Sequence, residues 1–268
     1  MLGITPLANR PDFQVQAVTC RQDHKRWSAT EVSGGYRLVL VRRGRFRRVT
    51  AGVAADLDPT VGYLGVPHDE ERFAHPHGGD VCTAIGLSPS LWRTMAGEGA
   101  RVARRTMYVD ARVELAHRRI LASARAGDVD FALAEELLGL LKETVGQTAE
   151  SRCTPSQATT ARDERPLVDA ARAAILEDDP AAVGLLPLAE QFGVSPFRLS
   201  RAFPRELGVS LTHYRNRVRV GRALDRLEQG EESLSILAAD LGYADQAHLC
   251  RTVWQHVGHT PTALRRML

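Results

Sequence analysis

The amino-acid sequence predicts an α+β chain: a small N-terminal β-barrel or sandwich with a helical hairpin attached, then an all-α domain. Three observations lead there. Residues 1 to about 94 hold short runs rich in β-branched and aromatic residues, separated by Gly, Pro, Asp and Asn. From about Ala111 the apolar period becomes that of a helix. Between Leu185 and Leu268 one pattern is written twice, about fifty residues apart.

The expected strands are Phe13 to Cys20, Tyr36 to Val41, Phe46 to Thr50, Val61 to Val66 and Val81 to Leu87. Short strands at this spacing suit a small sandwich or barrel. The glycine in Arg42-Arg43-Gly44-Arg45 suggests a hairpin between two of them. Arg42, Arg43, Arg45, Arg47 and Arg48 then read as the solvated face and rim of that hairpin, which protects an edge strand from aggregation, with attraction of DNA or an anionic ligand as the alternative.

Two helices follow, giving a hairpin over about 111–150. Val113, Leu115, His117, Ile120 and Leu121 mark the first; Phe131, Leu133, Leu137, Leu138, Leu140 and Leu141 mark the second. The second carries more apolar surface than one face needs, which points to a dimer contact, with packing inside one chain as the alternative. This completes a first domain, 1–150. Residues 151–165, polar and nearly without large apolar side chains, read as a linker to a second domain, 166–268. That domain opens with a helix from Pro166 to Glu177, whose Val168, Ala171 and Ile175 share one face.

The repeat comes next. Leu188-Ala189-Glu190-Gln191-Phe192-Gly193 returns as Leu237-Ala238-Ala239-Asp240-Leu241-Gly242, and Arg201, Gly208 and Ser210 return as Arg251, Gly258 and Thr260. The offset grows from 49 to 50, so one residue has been inserted between the two blocks. Each copy, about 185–208 and about 234–258, reads as a short helix, a glycine turn and a second helix capped by Ser195 or Asp245. In the second helices Leu199, Phe203 and Leu207, or Leu249, Val253 and Val257, face the core. That leaves Arg198, Arg201 and Arg205 in one copy, and His248, Arg251 and Gln255 in the other, at matching positions. Arg and Gln at such positions suit the edges of guanine and adenine or a phosphate. A single helix from Leu211 to Glu228 joins the copies. At 1.5 Å per residue it spans roughly 27 Å, enough to set two helices into successive major grooves.

From Leu167 to Arg266 the chain resembles the AraC/XylS family of transcription regulators. The most specific part is Ile236-Leu237-Ala238 through Gly242-Tyr243, then Leu249, Arg251 and Gly258-His259-Thr260-Pro261. The resemblance implies that Phe197, Ser200 and Arg201, with Gln246, Ala247 and Arg251, approach bases or phosphates. Two departures stand out. Pro204 lies inside the first recognition helix, where a kink or an end is expected. Ala247 offers no hydrogen bond and reaches at most a thymine methyl. By its position and by Leu38-Val39-Leu40-Val41-Arg42-Arg43-Gly44, the first domain resembles the family's cupin-like effector domain.

Charge is local. The whole chain is only +3, yet Ser195 to Arg226 holds eight Arg against Glu206 and Asp225, a balance of +6. One basic binding stripe follows, with affinity that falls as salt rises. Cys20, Cys82, Cys153 and Cys250 are widely spaced and form no CxxC pair, which argues against a disulfide framework and for a reducing cytoplasm. No secretory leader and no membrane span is expected.

A separate cluster comprises Cys20, His24, His68 and His75-Pro76-His77-Gly78-Gly79-Asp80-Val81-Cys82. Three readings stay open. Cys82 is a small core residue and the histidines bond loops; or Cys20, His24, His75 and Cys82 hold zinc; or a thiol senses redox or alkylating chemistry. His75-x-His77 before Cys82 also partly resembles the cupin metal pattern, without the glycine ahead of the first His.

The expected function is therefore a sequence-specific DNA-binding transcription regulator whose β-domain senses an effector and/or dimerises. Its expected partners are duplex DNA, a small-molecule effector, RNA polymerase and a second copy of the chain. The rival is a metal-dependent cupin-type enzyme or an alkyl-accepting cysteine protein with a DNA-targeting tail; against it, no carboxylate stands beside the cluster as a general base.

Overall fold

The computed structural model describes residues 2–21, 23–150 and 163–268, with the side chains of 149–150 left aside. Residues 151–162 of the expected linker, including Cys153, lie outside the described residues. The chain divides into two compact units, Met1–Thr154 and Pro155–Met267.

The first unit runs β1 (Leu2–Asn9), β2 (Phe13–Cys20), β3 (Glu31–Val32), β4 (Tyr36–Arg43), β5 (Phe46–Thr50), β6 (Val53–Leu57), β7 (Val61–Gly65), β8 (Glu70–Ala74) and β9 (Asp80–Leu87). Then come α1 (Pro89–Ala96), β10 (Arg101–Val102), β11 (Thr106–Tyr108), α2 (Ala111–Ala126), a π-turn at Val129–Leu133, α3 (Ala134–Thr148) and β12 (Ala149–Glu150). Antiparallel strands make one sheet in the order β1-β2-β9-β4-β7-β11 and another in the order β3-β8-β5-β6; β10 and β12 form a short ribbon.

The run Leu38 to Val41 is apolar at every position because β4 is buried on both faces. Leu38 and Leu40 join a core with Val15, Ile85, Val113, Ile120 and Leu137, where α2 and α3 cover the six-stranded sheet. Val39 and Val41 are buried too, opposite Ala84 and Cys82 of β9. Phe46 of β5 meets Tyr63 of β7 edge-on, with ring centroids 6.4 Å apart, so the two larger sheets close on each other there.

Gly44 does not close a hairpin. β4 pairs with β7 and β9, whereas β5 pairs with β6 and β8, so the chain crosses from one sheet to the other at this point. Gly44 sits at φ 77°, and a Cβ there would lie 2.4 Å from the carbonyl oxygen of Gly79. The arginine cluster is not all solvated either. Arg48 is 2% exposed; its Nη2 bonds Glu71 Oε1 at 2.5 Å and its guanidinium lies 4.2 Å from the Tyr63 centroid.

The helical hairpin packs within its own unit, since Leu133, Leu137, Leu140, Leu141 and Val145 all belong to the core shared with the sheet. Two of its large apolar side chains are exposed, Phe131 at 81% and Leu138 at 47%.

The second unit consists of α4 (Arg165–Leu176), a 3-10 turn at Pro180–Val183, α5 (Leu185–Gln191), α6 (Pro196–Leu207), α7 (Leu211–Glu228), α8 (Leu234–Asp240), α9 (Gln246–Val257) and α10 (Pro261–Met267). Tyr214, Val218, Leu224 and Leu227 of α7 are buried as the apolar period requires, and Leu211 is half-buried. Among the described residues no helix is long and apolar enough to cross a membrane.

Candidate nucleic-acid interface

The two copies agree in their local stereochemistry. α5 and α8 have seven residues each, α6 and α9 twelve. Gly193 and Gly242 take positive φ, 61° and 69°, at the turns, and Gly208 and Gly258, at 76° and 75°, close the second helices in the left-handed conformation. Ser195 Oγ accepts from the Arg198 amide at 3.2 Å, and Asp245 Oδ1 from the His248 amide at 2.6 Å. The repeated Ser210 and Thr260 cap the helices that follow, accepting from the His213 and Ala263 amides.

The inserted residue falls in the second turn, which places Tyr243 and Ala244 between Gly242 and Asp245 where the first copy has Val194 alone. Tyr243 is buried under Arg219 of α7, whose guanidinium lies 3.7 Å from the ring centroid and whose Nε donates to the Leu241 carbonyl at 2.9 Å.

Pro204 does not end α6. The helix continues to Leu207, and the Gly208 amide donates to the Pro204 carbonyl at 3.1 Å. The exposed Pro204 ring removes one donor without displacing Leu199 or Phe203, both fully buried. Leu207, expected in the core, is half-buried.

Phe197, Ser200, Arg201 and Arg205 of α6 are exposed, as are Gln246, Ala247, Arg251 and Gln255 of α9. Arg201 stacks over the Phe197 ring at 5.2 Å. Two of the expected contact residues are turned inward. Arg198 forms a paired contact with Glu164, Nη2 to Oε2 at 2.8 Å and Nε to Oε1 at 3.1 Å, and that hydrogen bond holds its guanidinium pKa above the usual value. His248 is half-buried, with its ring edge-on to Tyr243 at 5.2 Å and Nδ1 accepting from the Ala244 amide at 3.4 Å.

Local charge is likewise reduced by structure. Of the eight arginines between Ser195 and Arg226, Arg198 is paired, Arg217 is buried, Arg219 covers Tyr243, and Arg222 and Arg226 bind Asp178, Glu231 and Asp240. Arg201, Arg205 and Arg215 are the exposed ones. The sequence also missed Trp254, 59% exposed on α9 between Val253 and Gln255; an aromatic residue at a non-core helix position was the available signal.

In the β unit, strand register makes Cys20 and Asp80 direct cross-strand partners, and His75 is bridged to His24. Cys20, His75 and Asp80 each bring a ligand atom within 4.8 Å of the others. Asp80 stands where the sequence reading placed Cys82 and His24, because Cys82 Sγ donates to Asp80 Oδ2 at 2.9 Å and His24 Nε2 lies against His75 Nδ1 at 3.4 Å. A carboxylate therefore does stand in the cluster, contrary to expectation. Burial, followed by the Asp80 charge, pushes the Cys82 thiol far up, so it stays protonated. His77 is exposed and bonded to Arg45 Nη2 at 2.8 Å, so His75 and His77 do not point inward together; His68 is exposed at φ 69°. Cys20, Cys82 and Cys250 are free thiols.

Two turn-linked helix pairs of equal dimensions on one connecting helix define a double helix-turn-helix domain, a DNA-binding architecture. Residues 188–267 match the family model described as a helix-turn-helix domain. Among solved structures, ToxT from Vibrio cholerae bound to an unsaturated fatty acid is 10% identical over 97% of each chain, with a TM-score of 0.40. The C-terminal domain of AraT, a response regulator from Geobacillus stearothermophilus, is 29% identical over 40% of this chain and 89% of its own, with a TM-score of 0.36. A cupin superfamily protein from Desulfitobacterium hafniense is 18% identical over 32% and 77%, with a TM-score of 0.29. No curated protein sequence matches the chain.

Proposed function

We propose that the protein is a sequence-specific, cytoplasmic transcription regulator that lays α6 and α9 into successive major grooves on one face of duplex DNA. The observation that carries this reading is the repetition of an exposed arginine at one position of two equal helices, Arg201 and Arg251, on either side of the 18-residue α7. Arg201 and Arg251 are the principal base contacts. Phe197, Ser200 and Arg205 flank the first, and Gln246, Ala247 and Gln255 the second; Arg198 and His248 hold their helices in place. No catalytic step is assigned.

The β unit dimerises and/or receives a small-molecule effector, and so changes how the DNA-binding unit is presented. Phe131 and Leu138, both exposed, support a contact with a second copy. Selection from random duplexes with the full-length chain tests the DNA reading. Enrichment of a defined motif is expected, and uniform recovery of unrelated sequences contradicts it.

A further inference from the structure

The hydrogen bonds around His75 fix which of its nitrogens carries a proton. His24 Nδ1 lies 2.8 Å from the carbonyl oxygen of Arg26, an acceptor only, so His24 carries its proton there. In neutral His24 the Nε2 lone pair is then the acceptor, and it faces His75 Nδ1 at 3.4 Å. His75 therefore donates from Nδ1, and its other nitrogen, Nε2, presents a lone pair. That lone pair lies 3.0 Å from Asp80 Oδ1, which is buried and accepts no hydrogen bond among the described residues. Cys20 Sγ completes the group. Two lone pairs at that distance, in a pocket where Cys20 and Asp80 are each 5% exposed and His75 9%, repel unless a proton or a metal ion lies between them.

We propose that Cys20, His75 and Asp80 bind one zinc-class divalent ion through Sγ, Nε2 and a carboxylate oxygen, leaving a fourth position to water or a donor atom of a ligand. The donor set is of the kind zinc takes, and bonds of about 2.0 to 2.3 Å in a tetrahedral site put ligand atoms about 3.2 to 3.8 Å apart; here His75 Nε2 and Asp80 Oδ1 are 3.0 Å apart and all three ligand atoms lie within 4.8 Å of one another. His24 is the positioning residue, since a metal-bound imidazole characteristically donates its other N–H to a neighbour. The Cys82 thiol donates to the second Asp80 oxygen and orients the carboxylate. The backbone is built for close approach here: a Cβ on Gly79 would lie 2.2 Å from the Cys20 carbonyl oxygen. On binding, the Cys20 thiol proton leaves to solvent and the thiolate takes up the metal.

Titration of the reduced, chelator-treated full-length chain with Co2+ tests this. One Co2+ per chain with a thiolate-to-metal charge-transfer absorption is expected, displaced by Zn2+. The absorption should vanish in Cys20→Ser and persist in Cys82→Ser, and His24→Ala should weaken affinity about tenfold to 100-fold. A wild-type chain that takes up no Co2+ overturns the proposal. An absorption that survives in Cys20→Ser overturns it as well. Should Cys20→Ser lose its fold by circular dichroism, Asp80→Asn, nearly the same shape, decides: weakened Co2+ affinity supports the site, and unchanged affinity overturns it.

Discussion

Arg219 and Tyr243 lock the connecting helix to the second turn: the guanidinium covers the ring at 3.7 Å while Nε donates to the neighbouring Leu241 carbonyl. The residue inserted into the second copy thus lies in the turn that holds α9 on α7. Replacing Tyr243 with Ala should destabilise the C-terminal unit by about 3 kcal/mol through cavity formation and loss of the cation–π contact. Urea denaturation of the full-length chain checks this, and a change below about 0.5 kcal/mol would show that the turn does not depend on the ring.

Salt dependence should be shallower than the sequence charge suggests. Each phosphate neutralised adds about −0.9 to the slope of log K against log salt, so the three exposed arginines of α6 and α7 add about −2.7, where all eight between Ser195 and Arg226 would add about −7. Anisotropy titrations over a series of salt concentrations, comparing wild type with Arg201→Ala, Arg205→Ala and Arg215→Ala, measure it. Arg222→Ala and Arg226→Ala should leave the slope unchanged, because both side chains bind acids of their own unit.

His117 makes the β unit sensitive to acid. It is 3% exposed, its Nε2 lies 2.7 Å from Thr83 Oγ1, and burial, then the Arg42 charge, lowers its pKa to about 3. Above pH about 6.5 the imidazole is neutral in the folded and the unfolded chain alike. Between about 6.5 and 3 only the unfolded chain takes up the proton, so stability falls with pH by at most about 1.4 kcal/mol per unit from this group. Thermal unfolding at about pH 7 and about pH 5 should show the loss, and His117→Gln should reduce it; equal pH dependence in both proteins would remove His117 as the cause.

The exposed pair Phe131 and Leu138 gives the dimer reading its test. Phe131→Glu and Leu138→Glu should each shift the chain toward monomer in native mass spectrometry without lowering its melting temperature. A dimer that persists in the double variant places the contact elsewhere.

Much of the C-terminal unit was legible in the sequence because its signals are local: apolar period, Ser and Asp caps, and left-handed glycines fall within a few residues of the features they specify. α7 begins and ends where Leu211 and Glu228 led one to expect. The misses depend on distant partners. Arg198 reads as a free cation until Glu164 is seen beside it, and Arg48 as solvated until Glu71 and Tyr63 enclose it. β1 escaped notice because it contains Gly3 and Pro6, which an edge strand tolerates; its register shifts between Pro6 and Ala8. β8 was hidden by its charges, since nothing in Glu70-Glu71-Arg72 says that Glu71 will be buried. α1 was passed over because Leu87-Ser88-Pro89 reads as the end of a strand, although Ser88 caps a helix with Pro89 in its first turn. In the metal-ligand cluster, attention to Cys and His passed over Asp80, which only strand register sets opposite Cys20.

In the proposed complex α6 and α9 read two sites one helical turn apart. Base preferences of wild type, Arg201→Ala and Arg251→Ala, each selected from random duplexes at one salt concentration, test it most directly. Two sub-sites centred about 10 base pairs apart are expected. Arg201→Ala should relax preference in one and Arg251→Ala in the other, each by about 1 to 3 kcal/mol at the affected base pair. Loss of preference at the same position in both variants, or a single short site untouched by Arg251→Ala, would contradict it.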